Sequence, residues 1–470
     1  MSRNFQQYQY DDRMKQYGEI TGDTLKMDTL DQGMPYRPTV TVSTDRYQLN
    51  DTDKNNPGYR DFDLYDEEAD IDVLYHDPSN DFFKSNTKFS DVGDDFKILP
   101  SNHFNSMSQI INNFTFTFLQ QFTANLKTKK SIILSPFNIL QAFCLLYIGS
   151  SQATEKELRT YFQLPDKKQT FSNLYQINND LMKTNVVSIM NLVCAPSYFN
   201  LNNNYLQYIS KIGNFIKINP RNASNEVKKI NGLISQSTNG MINNLISPDM
   251  ITEDNALLII STIYFYSKWK NPFNIKNTKA ELFNGLNQRK EYMMMQSNGQ
   301  HNYFEDRYNQ VLELEYSDNV FVFGMILPKQ QQNPEISITM EQFNYYISQL
   351  KLQEISLLKM PKFKYETKYS IDNLFRKYGM RQIFTDADIS EIINKPNDKI
   401  KFYVGKIVHN AVIIVDENGT KAAAATAMNM FAYNSVQNSK PKINFIANHQ
   451  FLYYIRHRPT NTIIFIGKFL

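Results

Sequence analysis

Two cysteines, one tryptophan and six histidines are few for a chain of 470 residues. Cys144 and Cys194 each lie in an apolar run, which argues against a disulfide framework and for buried free thiols. CxxC and HExxH are absent, so no metal and no other cofactor is expected. GxxxxGK[ST], GxGxxG and GxSxG are absent too, and the histidines show no triad or ligand spacing. An enzyme reading has no residue constellation to stand on. Short basic clusters such as Lys127 with Lys129 and Lys130, and Lys228 with Lys229, read as solvated faces and not as a nucleic-acid groove. The most apolar long stretch, Ile132 to Ile148, is interrupted by Ser135-Pro136, Asn138 and Gln141. It reads as a strand-like approach to a buried helix, not as a membrane span. Met1-Ser2-Arg3-Asn4-Phe5-Gln6-Gln7 has no apolar signal core, so a cytoplasmic start is expected.

What is present is aromatic and unevenly charged. Hydrophobic residues make up 41% of the chain, with 33 Phe and 29 Tyr, ample for a sizeable core. Residues 1–100 carry 21 Asp and Glu against 11 Lys and Arg; the remainder carries 26 against 39. An acidic arm attached to a basic body follows, suited to self-docking or to another partner. Residues 1–103 lack apolar periodicity, are rich in Asp, Tyr and Asn, and read as a disordered or loosely structured arm. From Phe104 to Leu470 the texture is that of a folded domain. Phe114, Phe118 and Phe122 recur at helical spacing; Leu140, Phe143, Cys144 and Tyr147 predict a second helix, and Ser151 to Tyr161 a third. Ala256 to Phe265, Val320 to Leu327, Ile407 to Val415, Phe451 to Ile455 and Thr462 to Ile466 read as strands covered on both faces. Helices early and strands late define an α+β class. His409, alone in the apolar run Ile407 to Val412, reads as a core histidine.

The run Asp416-Glu417-Asn418-Gly419-Thr420-Lys421-Ala422-Ala423-Ala424-Ala425-Thr426-Ala427 is ambiguous in an informative way. Ala favours a helix and Thr420 is able to cap one. The residues that follow, Met428 to Ser435, continue a helix poorly. With period two, one face carries Thr420, Ala422, Ala424, Thr426, Met428, Met430 and Ala432, all small or apolar. Such a segment has little bulk to obstruct entry into a slot between two strands.

These segments and several others resemble the serpin family, in the right order, from about Phe104 to Leu470. Ile133-Leu134-Ser135-Pro136-Phe137-Asn138-Ile139 is similar to the family's early Ser-Pro segment, and Thr238-Asn239-Gly240-Met241-Ile242 to its T-N-G-x-I. Ile263 to Phe273, with the single tryptophan Trp269, resembles its Y-F-K-G-x-W-x-x-P-F. Met360-Pro361-Lys362-Phe363-Lys364 resembles its P-K-F motif, and Phe451 to His457 with Phe465 to Lys468 its closing strands.

The resemblance implies three β-sheets, about nine helices and an exposed reactive-centre loop on a metastable body. It implies an inhibitor of serine endopeptidases, not an enzyme, that acts once. The protease cleaves the loop, stays attached as an acyl-enzyme, and is trapped as the loop inserts into the main sheet. The hinge is expected at Glu417, Gly419, Thr420, Ala422, Ala423, Ala424, Ala425 and Thr426, with Lys421 in place of the usual Glu. Counting along the loop puts the reactive bond at Tyr433-Asn434, with Phe431 or Ala432 as substitutes. An aromatic there suggests a chymotrypsin-like or cathepsin-like target; no Lys or Arg lies between Thr426 and Ser439 to suit a trypsin-like one. A sheet-opening cluster is expected from Ser135, Asn138, Ser261 and His409, with amide and hydroxyl exchanged relative to the family pattern, and Trp269 where the loop first enters the sheet. The expected partners are a target protease and an unknown partner for the acidic arm, with no nucleic acid and no membrane span; the protein is expected to be a monomer, cytoplasmic or virion-associated, with secretion left open. The alternative is a non-inhibitory serpin used as a structural or interaction scaffold.

Overall fold

The computed structural model describes residues 107–127, 129–252, 256–286, 288–330, 336–393, 401–420 and 442–470. The arm (1–103), the hinge residues Ala422 to Thr426 and the bond Tyr433-Asn434 lie outside this set.

The chain opens with α1 (Met107–Ala124), β1 (Ile132–Leu134), α2 (Pro136–Gly149), α3 (Gln152–Phe162) and α4 (Lys167–Met182). β2 (Val187–Pro196), α5 (Asn203–Ile209), β3 (Asn214–Ile218) and α6 (Ala223–Ser237) follow. The middle is β4 (Ala256–Phe265), β5 (Ser267–Lys268), β6 (Lys279–Asn284), β7 (Arg289–Glu305), β8 (Asn309–Glu315), β9 (Phe321–Pro328) and α7 (Met340–Gln349). The rest is β10 (Lys351–Pro361), β11 (Phe363–Ser370), α8 (Asp372–Lys377), β12 (Tyr403–Val415), β13 (Gly419–Thr420), β14 (Ile443–Ile446), β15 (Phe451–His457) and β16 (Thr462–Phe469). Eight α-helices thus stand among the described residues, none of them long and apolar enough to cross a membrane.

Local chemistry explains several boundaries. Pro136 opens α2, where its missing N–H is no loss, and the Ser135 hydroxyl accepts the Asn138 N–H at 3.3 Å. Thr339 and Gln342 form a reciprocal capping box on α7. The Thr238-Asn239-Gly240 turn ends α6 with both Asn239 (φ 51°) and Gly240 (φ 73°) in the left-handed region. There the Gly240 N–H reaches back to the Ser235 carbonyl at 2.7 Å. The Phe114, Phe118 and Phe122 rings follow one another along α1 at 5.3 and 5.9 Å between centroids, and Phe118 stacks on Phe375 of α8 at 5.7 Å.

The strands form two hydrogen-bonded networks. The larger runs β1-β16-β15-β9-β8-β7-β10-β14, with β6 on β7. It is two of the expected three sheets joined by one long strand. β7 pairs with β6 along Arg289–Met294 and with β8 only along Asn302–Glu305, and its register with β10 slips between Ile355 and Leu358. The third sheet has seven strands, in the order β3-β2-β4-β12-β13-β5, with β11 on β12.

β4 and β12 form the parallel seam of this sheet, and each is buried on both faces. Ile259 and Ile263 of β4, with Ile407, Ala411 and Ile413 of β12, enter the larger core beside α1 and α2. Leu258 and Ile260, with Val408 and Val412, enter a smaller core closed by Val227, Ile230 and Ile234 of α6. That is why both strands read as unbroken apolar runs. Cys144 belongs to the larger core and Cys194 to the smaller; both are free thiols, and burial pushes both well above the usual thiol range.

Candidate functional site

The seam ends in a fork. β4 and β12 pair as far as Val412↔Tyr264. Beyond that rung, Val415 pairs with Phe363 of β11 on one edge and with Thr420 on the other. Gly419 and Thr420 in turn pair with Lys268 and Ser267 of β5. β13 is therefore a two-residue strand held on both edges, filling the opening between β12 and the continuation of β4. A Cβ on Gly419 would stand 2.2 Å from the Ser267 carbonyl oxygen and 2.6 Å from the Lys268 Cα, so this rung admits only glycine without moving backbone.

A dense set of bonds fixes the turn into β13. Asp416 accepts the Asn418 and Gly419 N–H groups on Oδ1 at 2.8 and 3.2 Å, and its own N–H donates to the Gly419 carbonyl at 2.9 Å. Burial pushes the Asp416 carboxyl above its ordinary value against the pull of those N–H groups and Lys362. Glu417 is buried and receives Lys362 Nζ at 2.9 Å. Burial alone would raise its pKa; the Lys362 ammonium and further hydrogen bonds outweigh that and hold the carboxyl below the usual range. Trp269 donates its backbone N–H to the Asn418 carbonyl and its indole N–H to the Asp416 carbonyl, both at 2.8 Å. Its ring stacks on Tyr316 at 4.7 Å and 10°. The Tyr316 hydroxyl lies 2.6 Å from the Thr420 hydroxyl, with both side chains fully buried.

A second polar site lies midway along the seam. His409 of β12 and Ser261 of β4 are register partners. The Ser135 N–H donates to His409 Nε2 at 3.1 Å, which leaves the ring proton on Nδ1, facing the Ser261 hydroxyl at 3.4 Å. The Ser135 hydroxyl donates to the Ile464 carbonyl at 2.6 Å, tying α2 to β16. Burial lowers the His409 pKa to about 3, so the ring is neutral at ordinary pH. Asn138 is fully buried in the first turn of α2, and neither amide atom has a hydrogen-bond partner. Asn191 of β2, opposite Ser261, donates to Gln141 of α2 at 3.2 Å, and its own carbonyl oxygen has no partner.

Of the residues named from sequence, the structure brings together Ser135, Ser261 and His409, with Asn138 nearby but unbonded by its side chain. Trp269 does not join them. It stands at the fork with Glu417, Gly419 and Thr420. Lys362, Tyr316, Asp416, Gln141 and Asn191 were not singled out. Lys362 had a sequence signal in the Met360-Pro361-Lys362-Phe363 motif, Asp416 in the run it opens and Gln141 as a polar break in the apolar stretch before Ile148; Tyr316 sits in a polar turn with nothing to mark it.

This architecture is that of an α+β protein whose main sheet holds the first rung of a further strand. The family described as Serpin (serine protease inhibitor) matches residues 109–470. The chain belongs to the serpin family. It is 28% identical to an uncharacterised serpin-like protein of Acanthamoeba polyphaga mimivirus, across 77% of this chain and 89% of the relative. It is 29% identical to human Serpin B4, across 78% of this chain and 99% of that protein. Among solved structures, Serpin48 of the insect Tenebrio molitor superposes with a TM-score of 0.66 at 21% identity, over 77% of this chain and 97% of that one, a likeness of fold alone.

Proposed function

We propose that this serpin inhibits a serine endopeptidase of chymotrypsin-like specificity, or a cathepsin-like protease, by suicide trapping. The nucleophile of the protease attacks the Tyr433 carbonyl carbon. The peptide C–N bond breaks, Asn434 leaves as an amine carrying a proton, and Tyr433 remains as an acyl ester or thioester on the protease. Insertion of the freed N-terminal part of the loop then moves the attached protease before water hydrolyses that bond.

The carrying observation is the register of β13. Continued from Val415↔Thr420, the chain places Ala422, Ala424 and Thr426 opposite Ile413, Ala411 and His409. Continued from Ser267↔Thr420, it places the same residues opposite Phe265, Ile263 and Ser261. Ala411 and Ile263, and His409 and Ser261, already face each other across the seam. A single strand thus fits between β4 and β12 with neither slipping along its axis. On insertion, small side chains would meet the apolar rungs and the Thr426 hydroxyl would arrive at the mid-seam histidine.

The test is incubation of the full chain with chymotrypsin. An SDS-resistant complex and a released fragment beginning at Asn434 are expected, and the cleaved serpin unfolds at a higher temperature than the intact one. Clean cleavage with neither complex nor added thermal stability would overturn the inhibitory reading and favour the scaffold alternative.

A further inference from the structure

Tyr316 is unusual among the buried tyrosines in that its hydroxyl partner belongs to the loop. Its backbone bridges that of Trp269, and its ring is fixed by the stack on Trp269 and by Phe265 at 4.9 Å. The rigid ring delivers one hydroxyl to one place, 2.6 Å from the Thr420 Oγ1. Ser267, the β5 partner of Thr420, is itself held by its hydroxyl donating to Asp318 Oδ2 at 2.6 Å. The socket for Thr420 is therefore built from side chains that are already restrained.

We propose that Tyr316 is a positioning residue for loop insertion: its hydroxyl holds Thr420 in the sheet before any protease acts, so the resting molecule has a restrained loop and a preset register. This rests on the reading that the segment after Thr420 is the inserting strand. A hydroxyl buried at this depth is stable only while bonded. Removing one partner strands the other and favours release of Gly419 and Thr420 from the fork. Replacing both by apolar groups of the same shape removes the penalty and restores the seat.

That asymmetry supplies a test that needs no protease. Hydrogen exchange is followed in Tyr316→Phe, Thr420→Val and the double variant, at the Trp269 amide, which is bonded to the Asn418 carbonyl. Fluorescence of Trp269, the single tryptophan, is read in parallel. Each single variant is expected to speed exchange about tenfold and to shift the emission, and the double variant to return close to the parent. Parent-like exchange in Tyr316→Phe, or a double variant that sums the two single effects, would overturn the assignment. The reversal in the double variant assigns the effect to this pair of hydroxyls and not to the packing of either side chain alone. Loss of complex formation with this exchange pattern intact would count against the inhibitory function and leave the role of Tyr316 standing.

Discussion

The fork and the mid-seam site lie along the same two strands and are satisfied very differently. At the fork, the Glu417 carboxylate meets Lys362, the Thr420 hydroxyl meets Tyr316, and Trp269 donates to two carbonyls, Asp416 and Asn418, of the turn into β13. Halfway down the seam, both amide atoms of Asn138, the side-chain oxygens of Asn191 and Asn410, and the Thr262 hydroxyl are buried without partners. A buried polar atom left unbonded costs about 1–3 kcal/mol. The polar groups at the fork are therefore satisfied and several beside the middle of the seam are not; under the proposed insertion mechanism the sheet would be firm where the strand enters and weaker where β4 and β12 would part.

The largest expected effect breaks the fork. Thr420→Arg forces a bulky charge into a fully buried rung beside Tyr316, where the neighbouring carboxylate, Asp318, is already bonded to the Ser267 hydroxyl. Cleavage by the protease should continue while trapping falls by at least about a hundredfold, because an unpaired buried charge costs several kcal/mol. The measurement is the ratio of complex to cleaved product on a denaturing gel; an unchanged ratio would refute insertion.

A smaller effect on trapping, accompanied by a gain in stability, is expected at the seam. Asn138→Leu replaces an unpartnered amide by an apolar group of similar shape and should raise the unfolding free energy of the resting form by about 1–3 kcal/mol. Stabilising the closed seam should also slow insertion and divert more inhibitor into cleaved product. A variant destabilised in urea would show that the amide is bonded after all.

The last effect is set by pH. Burial lowers His409 to about 3 and His301 to about 4, so the unfolded chain binds protons that the folded chain refuses. Stability should be fully present above the ordinary histidine value of about 6.5 and decline as pH falls through the window down to about 3. The Asp416 carboxyl, raised by burial, works in the opposite direction near the carboxylate range. Urea midpoints between pH 7 and 4 report this, and His409→Gln should flatten the slope. A flat profile in the parent would remove His409 from the account.

Much of the frame was legible in the chain. The Phe114, Phe118 and Phe122 spacing marked α1, and unbroken apolar runs marked β4, β9, β12, β15 and β16 to within a few residues, because burial on both faces leaves no alternation to hide. Ser135, Ser261, His409 and Trp269 were reachable through motifs. Tyr316 was not, since its role depends on a ring stack and a single hydroxyl contact with a residue 104 positions away. Nor was the state of Asn138. Sequence showed that an amide stood at that position, and the packing around α2 decided that nothing answers it.

The sequence by itself determined three of the early helices and five of the apolar strands, that the thiols stay single, and that the stretch after Asp416 carries small side chains. These are properties of period, propensity and side-chain volume, carried by neighbours along the chain. Tertiary structure alone decided that β4 lies parallel to β12 across well over a hundred intervening residues, and that β13 pairs with β12 on one edge and β5 on the other. Long-range pairings depend on which buried surfaces and hydrogen bonds satisfy one another at once, and no local pattern encodes that choice.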